Sequence, residues 1–304
     1  MPKVFSISKI DISPSEALEE FLLLKKAQGN SDTTLNDYKY HVTTFFKRCQ
    51  GWEKVATEIN HYLAEKVMPA TYNIRLKYLR IFLEWCTTEG YIIKNPIKNW
   101  KYKKAEDRIV DIPEDVLKQL LNAPNKKSFV GLRDYTLIVL TLDTGIRPKE
   151  AMSLTKEDVC FKQMLVSVRS TIAKTRVPRS LPISSLTGQS IRKLISVHHE
   201  AWKTKLIFCT FEGNKMDRNR WARRMNIYSN KIGYKIRPYD LRHVFALYYL
   251  RAGGDVFSLQ KIMGHTNLNM TQKYLALTGE DIKEQHAKNS PLNILTTRSR
   301  VKKV

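Results

Sequence analysis

Apolar residues recur at helical spacing along almost the whole of this 304-residue chain, and the one exception is short and lies past its midpoint. Ser13-Pro14 suits a helix start, because proline is tolerated at an early helical position. Behind it Ala17, Leu18, Phe21, Leu22 and Leu24 supply an apolar face. Gly29-Asn30-Ser31 breaks that helix, and Thr33 or Thr34 opens a second with Leu35, Tyr38, Val42, Phe45 and Phe46 at the same spacing. A short helix is expected over 58–66, and a longer one after Pro69-Ala70-Thr71 with Ile74, Tyr78, Phe82 and Trp85 on one stripe. Helical spacing resumes at Pro113 and over 132–142, 219–231, 241–252, 256–262 and 270–277. Only 164–169 and 177–183 are short, β-rich and alternating, so they read as an antiparallel hairpin around 171–176. The chain is therefore expected to be mainly α: an all-helical first domain and a mostly helical second domain with a small antiparallel β-sheet.

The length suits two domains, each with its own core. Between them, 90–111 carries Asn95-Pro96 and a charged run over 101–108, a composition that reads as a connector. The expected bounds are 1–100, a linker at 101–112, a second domain at 113–290 and a basic tail at 291–304.

Fifty-two Lys and Arg against 29 Asp and Glu give a formal net charge of +23, a field that attracts polyanions such as nucleic acid. The basic residues are spread over both halves rather than gathered on one amphipathic helix, which argues against a membrane-surface role. No apolar run is long enough to span a bilayer, and the first residues lack a leader pattern. Cys49, Cys86, Cys160 and Cys209 form neither a disulfide framework nor a zinc pattern, so they read as reduced thiols of a cytoplasmic protein. Arg75, Lys77 and Arg80 lie on the polar face of the longer helix, where they reach phosphates or simply face water.

Three local patterns in the second domain suit a phosphate. In Asp143-Thr144-Gly145-Ile146-Arg147-Pro148-Lys149-Glu150, a glycine turn presents Arg147 at the start of a helix. The second pattern is Arg237-Pro238-Tyr239-Asp240-Leu241-Arg242-His243. The third is Met263-Gly264-His265, followed by Tyr274 nine positions later. Paired guanidiniums match the non-bridging oxygens of a phosphodiester, and they hold more strongly as charge grows in a pentacoordinate transition state. Singly, each residue has a plainer reading. Arg147 pairs with Glu150 in one helical turn, His265 ends a helix, His243 is structural, and Tyr274 is one of 14 tyrosines.

Taken in order, these residues resemble the tyrosine recombinase, or phage integrase, family, and specifically its simple two-domain type, Xer-like or transposon-borne. The resemblance runs through Arg147 with Glu150, Lys174 in Ala173-Lys174-Thr175-Arg176, Arg242, Gly264-His265 and Tyr274, and it covers roughly residues 13 to 290. It implies a helical core-binding (SAM-like) first domain and a catalytic second domain. It also implies a reaction in which Tyr274 attacks the scissile phosphate to give a 3′-phosphotyrosine and a free 5′-hydroxyl. Arg147 and Arg242 would bind the non-bridging oxygens, His265 would hydrogen-bond the phosphate, and Lys174 would protonate the leaving oxygen. Arg176 and Arg179, beside Lys174, join Arg75, Lys77 and Arg80 as DNA contacts. The sequence departs from the pattern at Tyr239, where the family has histidine. A phenol with a pKa of about 10 is a poor base near neutrality, so Tyr239 is expected to serve as a hydrogen-bond donor. Bond energy is kept in the phosphotyrosine, and no phosphate-binding Gly-x-x-x-x-Gly-Lys loop or ligand set stands out, so no cofactor or metal is expected.

The implied partners are double-stranded DNA recombination sites and further copies of the chain. A helix over 280–288 would dock on a neighbour in a tetramer on two sites. Two other activities stay open at this point: a DNA-binding regulator or architectural protein that does not cleave, and a type IB-like topoisomerase.

Overall fold

The computed structural model describes residues 12–49, 51–105, 110–173, 177–272, 274 and 279–295. It divides into two compact units, 1–106 and 107–304.

The first unit holds four helices: α1 Pro14–Ala27, α2 Asp32–Phe46, α3 Val55–Ala64 and α4 Pro69–Glu89. The start of α1 is set by a capping box. The Glu16 amide donates to Ser13 Oγ at 3.3 Å, and the Ser13 amide donates to Glu16 Oε2 at 2.8 Å. Ser31 caps α2 in the same way through the Thr34 amide. These helices bury Phe21, Phe45, Phe82, Leu76, Leu79 and Leu83 in one core, and each phenyl contributes about 1.5–3 kcal/mol by leaving water. Two residues expected on apolar faces, Leu24 and Ile74, are exposed. The buried stripe of α4 instead runs through Tyr72, Leu76, Leu79, Leu83 and Cys86, the set that meets α1 and α2. The stretch after α4 is tied back onto it. Asn73 Nδ2 donates to the Lys103 carbonyl and Asn73 Oδ1 accepts from the Lys103 amide, both at 2.8 Å.

The second unit contains α5 Glu114–Asn122, α6 Phe129–Thr144, α7 Pro148–Ala151 and a 3-10 turn at Lys156–Asp158. Three short antiparallel strands follow, β1 Val159–Cys160, β2 Leu165–Val168 and β3 Arg179–Pro182, in that spatial order. The remaining helices are α8 Ser185–Ser196, α9 Arg218–Ile232, α10 Asp240–Arg251, α11 Val256–Met263, α12 Asn269–Gln272, α13 Gly279–Asn289 and α14 Leu292–Leu295. The mainly helical fold with one small antiparallel sheet is the class read from the sequence. Within it, β1 is a third strand and α8 a helix that the apolar spacing did not reveal. Register pairs Val166 with Leu181, and both side chains are buried against the helical core. The long, wholly buried stretch Leu137–Leu140 of α6 is the axis on which α8 and α10 pack. Among the described residues no helix is long and apolar enough to cross a membrane.

Candidate active site

Two glycines fix the geometry of the site. Helix α6 ends at Gly145, whose φ of +62° is a left-handed conformation, and a Cβ there would lie 2.3 Å from the Phe245 ring of α10. Only glycine meets both demands, so the chain turns sharply and delivers Arg147 to the start of α7. There the Arg147 amide donates to Glu150 Oε2 at 3.2 Å, with Pro148 at the first helical position. Helix α11 ends in the same way at Gly264, with φ of +61°, and this swings His265 back toward α10.

Arg242 stands at the centre of the resulting cluster with 0% of its surface exposed. Its Nη2 donates to the Met263 carbonyl at 2.7 Å and lies 3.0 Å from His265 Nε2, and its Nη1 donates to the Gly145 carbonyl. Its Nε is buried and makes no hydrogen bond to any described residue. Burial, and then the neighbouring charge of Arg147, lower the guanidinium to about 10, so it is still charged at neutral pH. Because arginine only donates, His265 Nε2 must accept, and the proton of the neutral ring sits on Nδ1, which donates to Thr271 Oγ1 at 2.9 Å. Desolvation, reinforced by the charges of Arg242, Arg147 and Arg179, pushes His265 down to about 4, consistent with that neutral tautomer.

Below this level lies a buried carboxylate. Glu150 accepts from Arg147 Nη1 at 3.2 Å and from both terminal nitrogens of Arg179, at 2.6 and 3.3 Å. Burial alone would raise its pKa. The hydrogen bond and charge of Arg179, with the charge of Arg147, outweigh that and hold it below the usual carboxylate value. Arg147 Nη2 also donates to the Gly264 carbonyl at 3.1 Å, which locks the α6–α7 turn to the end of α11.

Tyr274 closes the cluster, 5% exposed, with its hydroxyl 2.8 Å from His243 Nδ1. Desolvation pushes the phenol up to about 12, while the charges of Arg242 and Arg147 work in the opposite direction. An enclosed tyrosine, two guanidiniums and a neutral imidazole therefore meet on residues drawn from four separate stretches of chain.

A phage integrase family model matches residues 111–280, more than half of the chain. The chain belongs to this family. Among curated relatives, the tyrosine recombinase XerC of Thermodesulfovibrio yellowstonii is 28% identical over 292 residues, covering 89% of this chain and 94% of its own. XerA of Pyrococcus horikoshii is 27% identical over 285 residues, covering 90% of this chain and 93% of its own. Among solved structures, the Tn1549 transposon integrase in complex with circular intermediate DNA superposes with a TM-score of 0.73 at 17% identity, over 91% of this chain and 99% of that one. A lambda integrase dimer bound to a COC′ core site gives 0.70 at 15% identity, over 90% and 83%. Both share the fold.

In this integrase family member the other sequence candidates fall into three groups. Lys174 and Arg176 lie outside the described residues. Tyr239 is 46% exposed at the start of α10, with its ring edge-on to His243 at 5.3 Å. Of the cationic candidates, Arg179 is turned inward onto Glu150 and the Ile262 carbonyl, and a Cβ on Gly264 would lie 3.2 Å from it. Arg75 binds Glu65 at 2.6 Å and covers the Tyr62 ring, and Arg80 donates to the Trp100 carbonyl and covers the Tyr102 ring. Lys77 is exposed, leaning over Tyr78. His243, read from sequence as structural, is the residue that touches Tyr274. The signal available for it was its position one helical turn beyond Tyr239 on α10. Among the described residues no three His, Cys, Asp or Glu side chains converge as a metal site.

Proposed function

We propose that this chain is a site-specific DNA recombinase that breaks and rejoins strands through a 3′-phosphotyrosine intermediate, with Tyr274 as nucleophile. One observation carries the reading: Arg147, Arg242, His265 and Tyr274, spread over 128 positions of sequence, meet in one cluster where the two guanidiniums act on the tyrosine. In this role Arg242 and Arg147 hold the non-bridging oxygens and strengthen their grip as negative charge grows at phosphorus. The free Nε of Arg242 and the fixed donors around it supply hydrogen bonds that need no reorganisation during the step. His265 orients Arg242 and donates to the phosphate once its Thr271 contact is exchanged. Lys174 is assigned protonation of the leaving 5′-oxygen, and Arg176 a contact to the DNA backbone. Tyr239 serves as a positioning donor at the rim.

A phosphodiester is exchanged for a tyrosyl phosphodiester, so the bond energy survives and the partner strand's 5′-hydroxyl can reseal without ATP. The substrate is duplex DNA, the polyanion that a net charge of +23 favours. The first unit is assigned grip on the duplex and the second unit catalysis. Strand exchange between two sites calls for four subunits, and α13, which follows the nucleophile, is assigned docking on a neighbour. The place of action is the cytoplasm, where its substrate is.

The test is a denaturing gel for covalent protein–DNA adduct, using nicked duplexes drawn from DNA flanking the coding sequence. Wild type is expected to form an adduct and Tyr274→Phe none, with binding retained in both. An adduct that persists in Tyr274→Phe would move the nucleophile to another tyrosine. Tight site-specific binding without any adduct would replace the recombinase reading by that of a non-cleaving regulator.

A further inference from the structure

We infer that His243 is the general base that takes the proton from Tyr274 as that tyrosine attacks the scissile phosphate. The inference rests on the reading of Tyr274 as nucleophile. It starts from a contact between residues 31 positions apart: Tyr274 Oη lies 2.8 Å from His243 Nδ1, with the ring centroids 5.6 Å apart. That is the distance at which a proton passes directly from donor to acceptor.

Among the described residues the competing bases are excluded by position or chemistry. Tyr239, which occupies the family's histidine position, is a half-exposed phenol packed edge-on against His243 rather than a basic group. His265 has both ring nitrogens engaged, Nε2 by Arg242 and Nδ1 by Thr271 Oγ1, so neither faces the nucleophile. Glu150 is held beneath by Arg147 and Arg179. The base is therefore not at position 239 but one helical turn further along, at the imidazole that reaches Tyr274. The titratable and charged groups that act on this imidazole or on the tyrosine it meets include Tyr239 and Arg242 beside it in the chain, Arg147 at the start of α7, His265 after α11, and Tyr274 itself.

In the forward step the Tyr274 oxygen bonds to phosphorus while its proton passes to His243 Nδ1. The bond from phosphorus to the 5′-oxygen breaks, and that oxygen takes a proton from the general acid, the role assigned to Lys174. The imidazolium so formed faces the negative charge that has grown on the phosphate. In the return step the incoming 5′-hydroxyl gives its proton to the spent general acid, and the departing Tyr274 oxygen takes its proton back from His243. The number of phosphodiester bonds is unchanged, and both side chains end in the protonation state in which they began.

The two halves of proton transfer separate on a duplex whose scissile 5′-oxygen is replaced by sulfur, because a thiolate departs without a general acid. Wild type, His243→Asn and His243→Ala would be compared on this duplex for binding and for adduct formation rate against pH. The asparagine amide oxygen sits near the position of Nδ1 and accepts a hydrogen bond, but it cannot hold a proton. Both variants are expected to bind the duplex like wild type and to form adduct about 10²–10⁴-fold more slowly. Their rates should climb with hydroxide over a range where wild type is already level, and added imidazole should partly restore His243→Ala. A wild-type rate in His243→Asn would reduce His243 to an orienting residue and overturn the inference. Wild-type rates and pH profiles in both variants would remove it from the reaction altogether. No adduct from wild type itself would overturn the Tyr274 reading and His243 with it.

Discussion

The second unit buries two arginine clusters, and they are finished differently. In the first, Asp134 is fully enclosed at the foot of α6. It accepts from Arg133 at 2.7 and 2.9 Å, from Arg224 Nε at 2.6 Å and from the Tyr228 hydroxyl at 2.7 Å, while Arg133 Nη1 donates to the Cys209 carbonyl. Every carboxylate oxygen there is used, and the network clamps α6 to α9. In the second, Glu150 neutralises Arg147 and Arg179, but among the described residues no carboxylate hydrogen-bonds Arg242. It is held by two carbonyls and a neutral imidazole, and its Nε is left over. A protein that needed only stability would complete the second cluster as it completed the first. Surplus positive charge fixed in place by neutral acceptors is what a negatively charged reactant requires.

The sharpest way to break this contrast is to remove a guanidinium from the incomplete cluster. Arg147→Ala is expected to slow adduct formation by about 10²–10³-fold at saturating DNA, with the folded helical signal by circular dichroism unchanged. Asp134→Ala should give the reverse pattern. It leaves Arg133 and Arg224 without their shared partner, so unfolding stability should drop by about 3–5 kcal/mol in urea. The cleavage rate should stay close to wild type at temperatures where the variant remains folded. Equal losses of rate in the two variants would erase the distinction.

The imidazole of the incomplete cluster offers a pH test. His265 is held near 4 inside the protein and would titrate near 6.5 once unfolded. The unfolded chain therefore binds the extra proton first as pH falls. The stability this group contributes is whole above about pH 6.5 and is lost progressively from there down to about pH 4. Wild type should accordingly lose stability across that window more steeply than His265→Gln, as measured by urea midpoints at successive pH values. Parallel profiles would mean that the ring carries its charge in the folded state. The smallest expected effect lies in the first unit. Lys77 is exposed, whereas Arg75 and Arg80 are taken up by Glu65, Tyr62, Trp100 and Tyr102. Lys77→Ala should reduce the salt dependence of DNA binding by about one phosphate contact and otherwise weaken all sequences alike.

What could be read from the residues alone depended on the length scale of the signal. Motifs of fixed local spacing were legible: the Gly145–Glu150 turn, Arg242, Gly264-His265 and Tyr274 all come together. Helices with a broad apolar face were legible too, since α1 and α4 begin where Ser13 and Pro69 place them, and α2 begins at Asp32, just ahead of the expected Thr33 or Thr34. Direction was harder. Nothing in the spacing says that Arg179 points inward, because a strand residue faces either side and Glu150 lies 29 positions away. Arg75 and Arg80 lie on the same helix as Lys77, yet aromatic rings from distant positions claim them. The two-residue strand β1 is too short to show alternation, and α8 carries too few large apolar side chains to register. His243 was read as structural for a related reason, since its contact is with a tyrosine 31 positions later whose approach no local pattern encodes.

The enclosure of the cluster has a consequence for when the protein is reactive. Arg242 has no exposed surface and Tyr274 almost none, so with the roles proposed above a phosphodiester, a free nucleotide or inorganic phosphate drifting past would meet no competent catalyst. A scissile phosphate can be engaged only after the wall around it gives way, and the free energy for that must come from contacts made elsewhere along a duplex. Affinity for any DNA is reduced by that amount, and in exchange only a duplex long enough and well enough matched to supply it triggers chemistry. The buried site thus acts as a safety catch, with recognition as the hand that releases it.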